Sequence, residues 1–339
     1  MKKLFLSIAL SIALTMLCAP SMAAVTLKIA TATPDNTQWM KDMRASAKEI
    51  KERTEGRVVI KYYGGGIKGS DSKVLSQIRI RQLQGGAFPP SALAAQYSDL
   101  NLYGMPLVFD SEEEVAFVRS RMDARLRQGL EDAGFVNFGF ATSGFASIMS
   151  STPVRTMADL KGKRVWVPDG DTISYKSMEA LSLNPVTLPL TDVLTGLQTG
   201  LIDIVAIPPI VALVLQWHTK VKYVTEVPLV YSFGFMAVDK KTFDKISDDD
   251  KAIVREVMTR TYQNFDKVNL VENRKAFDSL VKSGIERVEF DEDEFIKVRS
   301  ALLASNLGLG ADGAFTIELY EEMLSHIDEF RREQVATSE

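Results

Sequence analysis

The spacing of apolar and polar residues predicts alternating strands and helices in the first part of the chain. Residues 25–30 and 57–63 have the alternating, β-branched and aromatic character of strands, whereas 39–50 carry apolar residues at helical spacing. Good N-cap residues predict a second helix from 70 to about 84, ended by Gly85-Gly86. The order strand, helix, strand, helix indicates a parallel sheet with helical crossovers.

A second α/β block lies in the middle of the chain. Apolar runs at 165–167 and 202–207 predict strands, with a further short strand at 186–188. Helices are predicted over 174–183 and 192–200, and a glycine ends the latter. A block of this length is as large as a small lobe, so we expect two α/β lobes.

One long helix is predicted after the two blocks. Apolar residues recur at helical spacing from 247 to about 282, three aspartates favour the N-terminus of the helix, and Gly284 ends it. At ~1.5 Å per residue this helix is ~50 Å long, which exceeds one lobe. We therefore predict an α/β protein of two lobes with a long helix that braces both.

The first residues carry the pattern of a secretory signal. Two lysines precede an apolar run over 4–17, and small residues follow up to Ala24. The run is shorter than the ~20 residues that span a bilayer, which disfavours a membrane anchor. Bulky residues before Cys18 disfavour a lipoprotein. We predict a signal peptide over 1–23, cleaved before Ala24, and an exported protein.

Composition argues against several classes of function. The 339 residues include 40 basic and 44 acidic side chains, a net charge of −4 that leaves no basic field for nucleic acid. One cysteine and two histidines provide neither a disulfide framework nor the usual metal ligands. The sequence has no phosphate-binding glycine motif and no pairing of a nucleophile with a base. We expect no metal, no cofactor and no enzymatic activity.

Four segments resemble the solute-binding proteins of TRAP transporters, the DctP-type family, and they occur in the order found in that family. They are DLKGKRVWVP at 159–168, QTGLID at 198–203, Ser70-Asp71 with the following helix, and MPLVF at 105–109. The resemblance implies a two-lobed periplasmic binding protein of type II-like architecture. Such a protein captures a solute between its lobes and delivers it to membrane subunits.

The resemblance also implies how the chain is divided between the lobes, because the chain crosses from one lobe to the other more than once. The predicted division is a signal peptide at 1–23, lobe I at 24–143 and 233–272, lobe II at 144–232 and 273–320, and a C-terminal helix or tail at 321–339.

The sequence departs from the family at four polar anchors of the cleft. Trp166 stands where most members have an arginine that clamps a ligand carboxylate, and Ala146 stands at a second arginine position. Ile207 and Ala32 stand at positions where the family commonly has asparagine. The resemblance implies four further wall residues of the cleft: Phe145, Leu190, Tyr231 and Phe233.

These replacements predict an apolar cleft. A carboxylate buried without a cationic partner is strongly penalised, and removing one half of a buried pair costs ~2–5 kcal/mol. A buried tryptophan offers ~150–250 Å² of surface, worth up to ~4–6 kcal/mol to an apolar partner at ~25 cal/mol/Å². We therefore expect a periplasmic TRAP receptor for a neutral, apolar or amphipathic solute.

Two alternatives use the same residues differently. Arg164 precedes Trp166 by two residues on the same face of a strand, so Arg164, Arg155 or Lys163 could replace the lost clamp in an organic-acid receptor. Trp166 could instead fill an unused cleft in a periplasmic partner protein. Besides the TRAP membrane subunits, the resemblance implies a tetratricopeptide-repeat lipoprotein as a partner, because some family branches are associated with one.

Overall fold

A computed structural model describes residues 24–338, which form two six-stranded sheets covered by helices. The strands are β1 (Val25–Ala30), β2 (Val58–Tyr63), β3 (Gly85–Phe88), β4 (Phe135–Asn137), β5 (Ala141–Phe145), β6 (Ser147–Ser150), β7 (Arg164–Pro168), β8 (Asn184–Leu188), β9 (Ile204–Ile207), β10 (Tyr223–Thr225), β11 (Tyr231–Asp239) and β12 (Glu286–Val288).

Helices connect many of these strands, and short 3₁₀ segments occur at Ser98–Gly104, Leu190–Asp192 and Trp217–Lys220. The helices are α1 (Gln38–Arg53), α2 (Asp71–Arg79), α3 (Pro90–Leu93), α4 (Glu112–Asp132), α5 (Met157–Leu160), α6 (Thr172–Ala180), α7 (Val193–Thr199), α8 (Pro209–Val214), α9 (Lys240–Phe243), α10 (Asp248–Lys282), α11 (Glu292–Ala311) and α12 (Ile317–Ser338).

The first sheet has the strand order β2-β1-β3-β11-β4, and β5 also pairs with β11. β1 is parallel to β2 and β3, as expected for strands joined by the crossover helices α1 and α2. β11 runs antiparallel to β3, β4 and β5. Helices α1, α4 and α10 contribute Met43, Met122 and Met258 to the core of this lobe, and all three side chains are fully buried.

The second sheet has the order β12-β10-β6-β9-β7-β8. The strands that the sequence predicts in the second block are confirmed as β7, β8 and β9, with ends shifted by one or two residues. Period-two alternation along β7 divides the apolar residues between the two faces of the sheet. Trp166 belongs to the core cluster on one face, whereas Val165 and Val167 belong to the cluster on the other.

The glycine pair Gly85-Gly86 does not end a helix, so the prediction made from the sequence is wrong at this point. Helix α2 already ends at Arg79, and the two glycines begin β3 in the middle of the first sheet. A Cβ at Gly85 would collide with the carbonyl oxygen of Ala237 on β11, and a Cβ at Gly86 would collide with the ring of Phe88. The glycines therefore allow the close approach of strand and side chain.

Two extended segments connect the lobes. β5 continues through Ala146 into β6, and the returning segment 226–230 joins β10 to β11. The two segments are held together where the Ala146 amide donates to the Val230 carbonyl at 2.9 Å. The predicted lobe boundaries at 143/144 and 232/233 fall inside β5 and β11, and both of these strands belong to the first sheet.

The predicted long helix is present as α10, which has 35 residues. The Ser247 side chain caps its N-terminus by accepting a hydrogen bond from the Asp250 amide. Toward the first lobe, Thr261 and Ser46 of α1 share a hydrogen bond of 2.7 Å. Toward the second lobe, the Asn273 side chain accepts a hydrogen bond from the Ile210 amide of α8 at 3.1 Å. α10 therefore braces both lobes.

The C-terminal part of the described chain returns to the first lobe. Leu319, Met323 and Ile327 of α12 lie in the core cluster of the first lobe, and α12 packs along α4. The predicted division assigns residues up to 320 to the second lobe. Residues 317–320 instead belong to the first lobe, because the apolar face of α12 packs in its core. Among residues 24–338, no helix has the length and apolar character needed to cross a bilayer. The predicted signal peptide lies outside the described residues.

We predict that Gly85→Ala lowers the free energy of unfolding by about 1–3 kcal/mol, the usual range for overpacking, because the new Cβ collides with a backbone carbonyl of β11. The control is Gly308→Ala in α11, where a Cβ meets no atom within 4 Å. This control is expected to be neutral or to raise stability by up to about 1 kcal/mol, because alanine favours a helix. Urea unfolding measures both variants, and equal effects would contradict the packing argument.

Candidate functional site

A cavity of about 360 Å³ lies between the two lobes. The first lobe contributes residues 31–33 after β1 and the end of β3. The second lobe contributes the end of β7 with residues 169 and 171, and the end of β9 with Pro208. The cavity therefore sits at the carboxyl ends of parallel strands, where α/β sheets commonly bind ligands.

The lobes touch each other at the mouth of this cavity. A Cβ placed on Gly66, in the loop after β2, would lie 2.9 Å from the Thr191 side chain of the second lobe. A Cβ on Gly170, after β7, would lie 2.8 Å from the backbone oxygen of Ser91 in the first lobe. Both glycines have positive φ, so the close approach and the local turn both favour glycine there. The two lobes are therefore in direct contact at these two turns.

Most of the residues that the sequence assigns to the cleft come together around the cavity. Seven of them contribute to its wall: Ala32, Ala146, Trp166, Leu190, Ile207, Tyr231 and Phe233. The remaining two, Phe145 and Arg164, do not line it. The structure thus gathers these seven residues in space, and their role in binding stays a prediction.

Trp166 presents only an edge to the cavity. Its indole N–H donates to the Leu188 carbonyl at 3.0 Å, and its ring packs edge-on against Trp217 with centroids 5.1 Å apart. Only 4% of the residue is exposed. The structure therefore corrects the expected 150–250 Å² of ligand-facing indole surface, because most of this surface is already covered by the core of the second lobe.

Arg164 is engaged by a carboxylate of its own lobe. Its Nε and Nη2 donate to the two oxygens of Asp203 at 2.9 and 2.8 Å, in the bidentate geometry typical of arginine. Arg164 lies at the start of β7, whereas the cavity lies at the end of that strand. Arg155 and Lys163 do not line the cavity either. None of the three residues considered as a replacement clamp is positioned to act as one.

Phe145 lies behind the wall rather than in it. Its ring packs against that of Tyr231, with centroids 5.8 Å apart. Tyr231, Phe233 and Phe235 alternate along β11 and stack on the same face, with centroids about 6 Å apart. This row of aromatic rings borders the cavity but is almost completely buried in the core of the first lobe, and Phe145 packs against its first ring.

A buried arginine lies next to this row, but the protein uses all of its donors. Arg119 of α4 donates from Nε and Nη2 to Asp123, and from Nη1 to Asp266 of α10 at 2.7 Å and to the Tyr231 hydroxyl at 2.9 Å. Nη2 also donates to the Phe140 carbonyl at 2.9 Å. A guanidinium has five N–H groups, and each has a protein acceptor here. Arg119 therefore positions Tyr231 and has no donor left for a solute.

The charged groups at the cavity are acidic. Among the described residues that line it there are three aspartates and no lysine, arginine or histidine. Burial, followed by the nearby charge of Asp169, raises the pKa of Asp71 to about 6. Asp171 caps α6 by accepting a hydrogen bond from the Ser174 amide at 2.9 Å, and burial raises its pKa. The electrostatic environment of the cavity therefore disfavours additional negative charge.

Sequence reasoning missed several wall residues. Trp39 was visible only as part of a helical stripe, and Asp71 only as a helix cap within one of the family-like segments. No signal in the sequence identified three wall residues in α8 and the turn after it, because an apolar run does not reveal which of its residues face a cavity. They are Val211, Val214 and Leu215. Within residues 24–338, no group of three or more histidine, cysteine or acidic side chains could hold a metal ion.

The family model DctP, described as bacterial extracellular solute-binding protein, family 7, matches residues 29–305. The chain belongs to the DctP family. It is therefore a solute-binding protein of the TRAP type, as the sequence motifs implied. The 2,3-diketo-L-gulonate-binding periplasmic protein YiaO of Escherichia coli K12 is 24% identical over 244 residues, which are 70% of this chain and 73% of that protein.

The matches to curated relatives of this DctP protein are partial. They span from 46% to 87% of the relatives' own lengths, and 65% for an uncharacterised protein of Haemophilus influenzae. Solved structures match more completely. The sugar acid binding protein DctPAm of Advenella mimigardefordensis, in complex with galactonate, has a TM-score of 0.83 at 19% identity, covering 91% of this chain and 99% of that one.

A second solved structure gives the same result. A TRAP periplasmic solute-binding protein of Haemophilus influenzae with bound L-gulonate has a TM-score of 0.81 at 19% identity, covering 90% of this chain and 99% of that one. At this identity the likeness shows the shared two-lobed fold. It does not determine which solute this DctP protein binds.

The raised pKa of Asp71 predicts a pH-dependent stability. Because its native pKa of about 6 lies above its ordinary value of 3.8, the wild type loses stability as pH rises through this interval. The asparagine of Asp71→Asn does not titrate. From pH 4 to pH 8 the free energy of unfolding of this variant should therefore rise relative to that of the wild type. We expect about 1–2 kcal/mol, allowing for solvent screening of a half-buried carboxyl.

Thermal unfolding of the wild type and Asp71→Asn at several pH values measures this shift. Asp278→Asn, an exposed substitution on α10, provides the matched control and should show no such shift. A stability difference for Asp71→Asn that stays constant from pH 4 to pH 8 would rule out the buried, charge-opposed environment of this carboxyl.

Proposed function

We propose that the protein is the periplasmic receptor of a TRAP transporter and captures a neutral, apolar or amphipathic solute between its lobes. The receptor then delivers this solute to the membrane subunits of the transporter. The solute class rests on one observation: the described residues that line the cavity include no basic side chain. Export by a signal peptide at 1–23, cleaved before Ala24, is part of the proposal. Handover to a repeat-protein partner stays a prediction.

A carboxylate in this cavity would lose its water without gaining a cation. Desolvating an ionised carboxylate is costly unless a positive group replaces the lost hydration. Arg119 cannot do so, because its five donors already have acceptors, and Arg164 is paired with Asp203. Asp71 and Asp169 would also repel a second negative charge. These conditions support rejection of small organic acids.

An apolar solute finds better conditions in the same cavity. Its volume of about 360 Å³ lies in the ~300–1,000 Å³ range of small-molecule sites. Ile207, Val211 and Val214 line it from the second lobe, and β11 borders it from the first. Each methylene that a solute buries there contributes about 0.8 kcal/mol. Asn101 and Asn269 provide polar contacts for the head group of an amphipathic molecule.

The relatives described above are named for acids or have acids bound, namely 2,3-diketo-L-gulonate, galactonate and L-gulonate. They define the alternative that an experiment must exclude. The family resemblance gives an arginine clamp at the position of Trp166 and a second arginine at the position of Ala146, and this chain has neither. We therefore propose that this protein binds a different class of solute although it shares the fold of these relatives.

Titration with representative solutes tests this proposal. Protein freed of carried-over solute by unfolding and refolding is titrated with galactonate, succinate and 1-octanol, and tryptophan fluorescence reports binding because Trp39 and Trp166 line the cavity. We expect 1-octanol to bind and both acids to leave the signal unchanged up to millimolar concentration. Tight binding of either acid would exclude the proposed solute class.

A substitution in the wall locates the binding. Val214→Asp places a carboxylate at the cavity and should weaken 1-octanol binding at least about tenfold, or about 1.4 kcal/mol. Leu201→Asp is the matched control, because Leu201 is exposed in the same lobe and does not line the cavity. Equal affinities in the two variants would show that the alcohol binds elsewhere.

A further inference from the structure

A second cavity lies next to the first, and its wall comes mainly from the second lobe. Its volume is about 60 Å³. Its wall includes residues of the second sheet, of α11 and of the turn after α6, for example Ile204, Val298 and Leu181. All sixteen residues of its wall are apolar. We call it the side cavity.

The side cavity and the main cavity share part of their walls. Four residues line both: Val165 of β7, Met178 of α6, Ala206 of β9 and Leu229 of the segment between β10 and β11. A single layer of side chains therefore separates the two spaces. Ala206 has the smallest side chain of this layer, and Met178 has a flexible one that adapts to a new neighbour.

We propose that the side cavity receives the apolar chain of the solute, so that the receptor selects amphipathic molecules with a linear hydrocarbon tail. This inference rests on the proposed function, since it assigns the tail of the solute held in the main cavity. The polar groups Asn101, Asn269 and Asp71 all line the main cavity and none lines the side cavity. The head group therefore stays in the main cavity, and the tail passes between Met178 and Ala206.

The chemistry of the side cavity fits this occupant. A water molecule in a protein interior needs two to four polar partners, and no side chain of this wall provides one. Several wall residues, including Leu181, Phe295 and Val298, are only half-buried and can bury more surface against a chain. Each methylene that enters should strengthen binding about fourfold, which corresponds to about 0.8 kcal/mol.

A chain-length series tests the proposal. The solute-free protein is titrated with 1-alkanols from butanol to decanol, followed by tryptophan fluorescence. For the wild type we expect affinity to rise about fourfold per methylene and to level off once the side cavity is filled. Val298→Phe, which fills the side cavity from α11 without lining the main cavity, should level off at a shorter chain.

The expected difference is large enough to measure. For the longest alcohol that the wild type binds, Val298→Phe should be weaker by about 15-fold, the equivalent of two methylenes. Binding of 1-butanol should be unchanged, which also reports that the variant is folded. Leu181→Phe fills the same cavity from the turn after α6 and should behave alike. Ile296→Phe, exposed on α11 and outside both cavities, is the matched control.

The outcomes separate this inference from the proposed function. If short alkanols bind but Val298→Phe and Leu181→Phe keep the chain-length profile of the wild type, the tail does not enter the side cavity, and only this inference fails. If no alkanol binds, or if galactonate displaces all of them, the proposed solute class fails as well. The inference is supported if affinity levels off at a shorter chain in both Val298→Phe and Leu181→Phe, while Ile296→Phe keeps the chain-length profile of the wild type.

Discussion

The buried guanidinium of Arg119 connects the parts of the molecule that a two-lobed receptor must hold in register. It binds Asp123 on its own helix, Asp266 on the long brace, the carbonyl of Phe140 ahead of β5 and the hydroxyl of Tyr231 on β11. These elements meet where the chain crosses between the lobes. Breaking a buried ion pair by removing one partner usually costs ~3–5 kcal/mol, so the hinge depends on this set of hydrogen bonds. Because the set is complete, the same arginine contributes no positive charge to the cleft.

The cleft combines a family scaffold with an unusual charge distribution. The lobes meet at Gly66 and Gly170, and the cavity between them has aspartates but no basic residue among its described wall residues. A receptor for acids needs a cation that is free of protein partners at the carboxylate. Here Arg119 and Arg164 are held by protein carboxylates, and we therefore propose apolar burial as the main source of affinity.

The parts of this structure that depend on local periodicity could be predicted from the sequence. The first strand and the 35-residue helix α10 follow from apolar spacing and caps that lie within a few residues of one another. Gly85 and the pairing of β11 with β3 could not be predicted, because both depend on contacts between residues about 150 positions apart. In the cleft, motif order located Trp166, since the flanking residues of the segment 159–168 fix its position. The sequence does not reveal that all N–H donors of Arg119 have protein acceptors, because these acceptors come from four separate segments.

The mass of the solute that the protein carries from its own periplasm tests the central claim most directly. Native mass spectrometry of the protein purified without refolding gives the mass of the complex, and extraction with organic solvent identifies the small molecule. The account predicts a neutral or amphipathic compound with a hydrocarbon portion. A sugar acid or dicarboxylate recovered in stoichiometric amount would contradict it and would show that the cavity obtains its cation from a source other than its described wall.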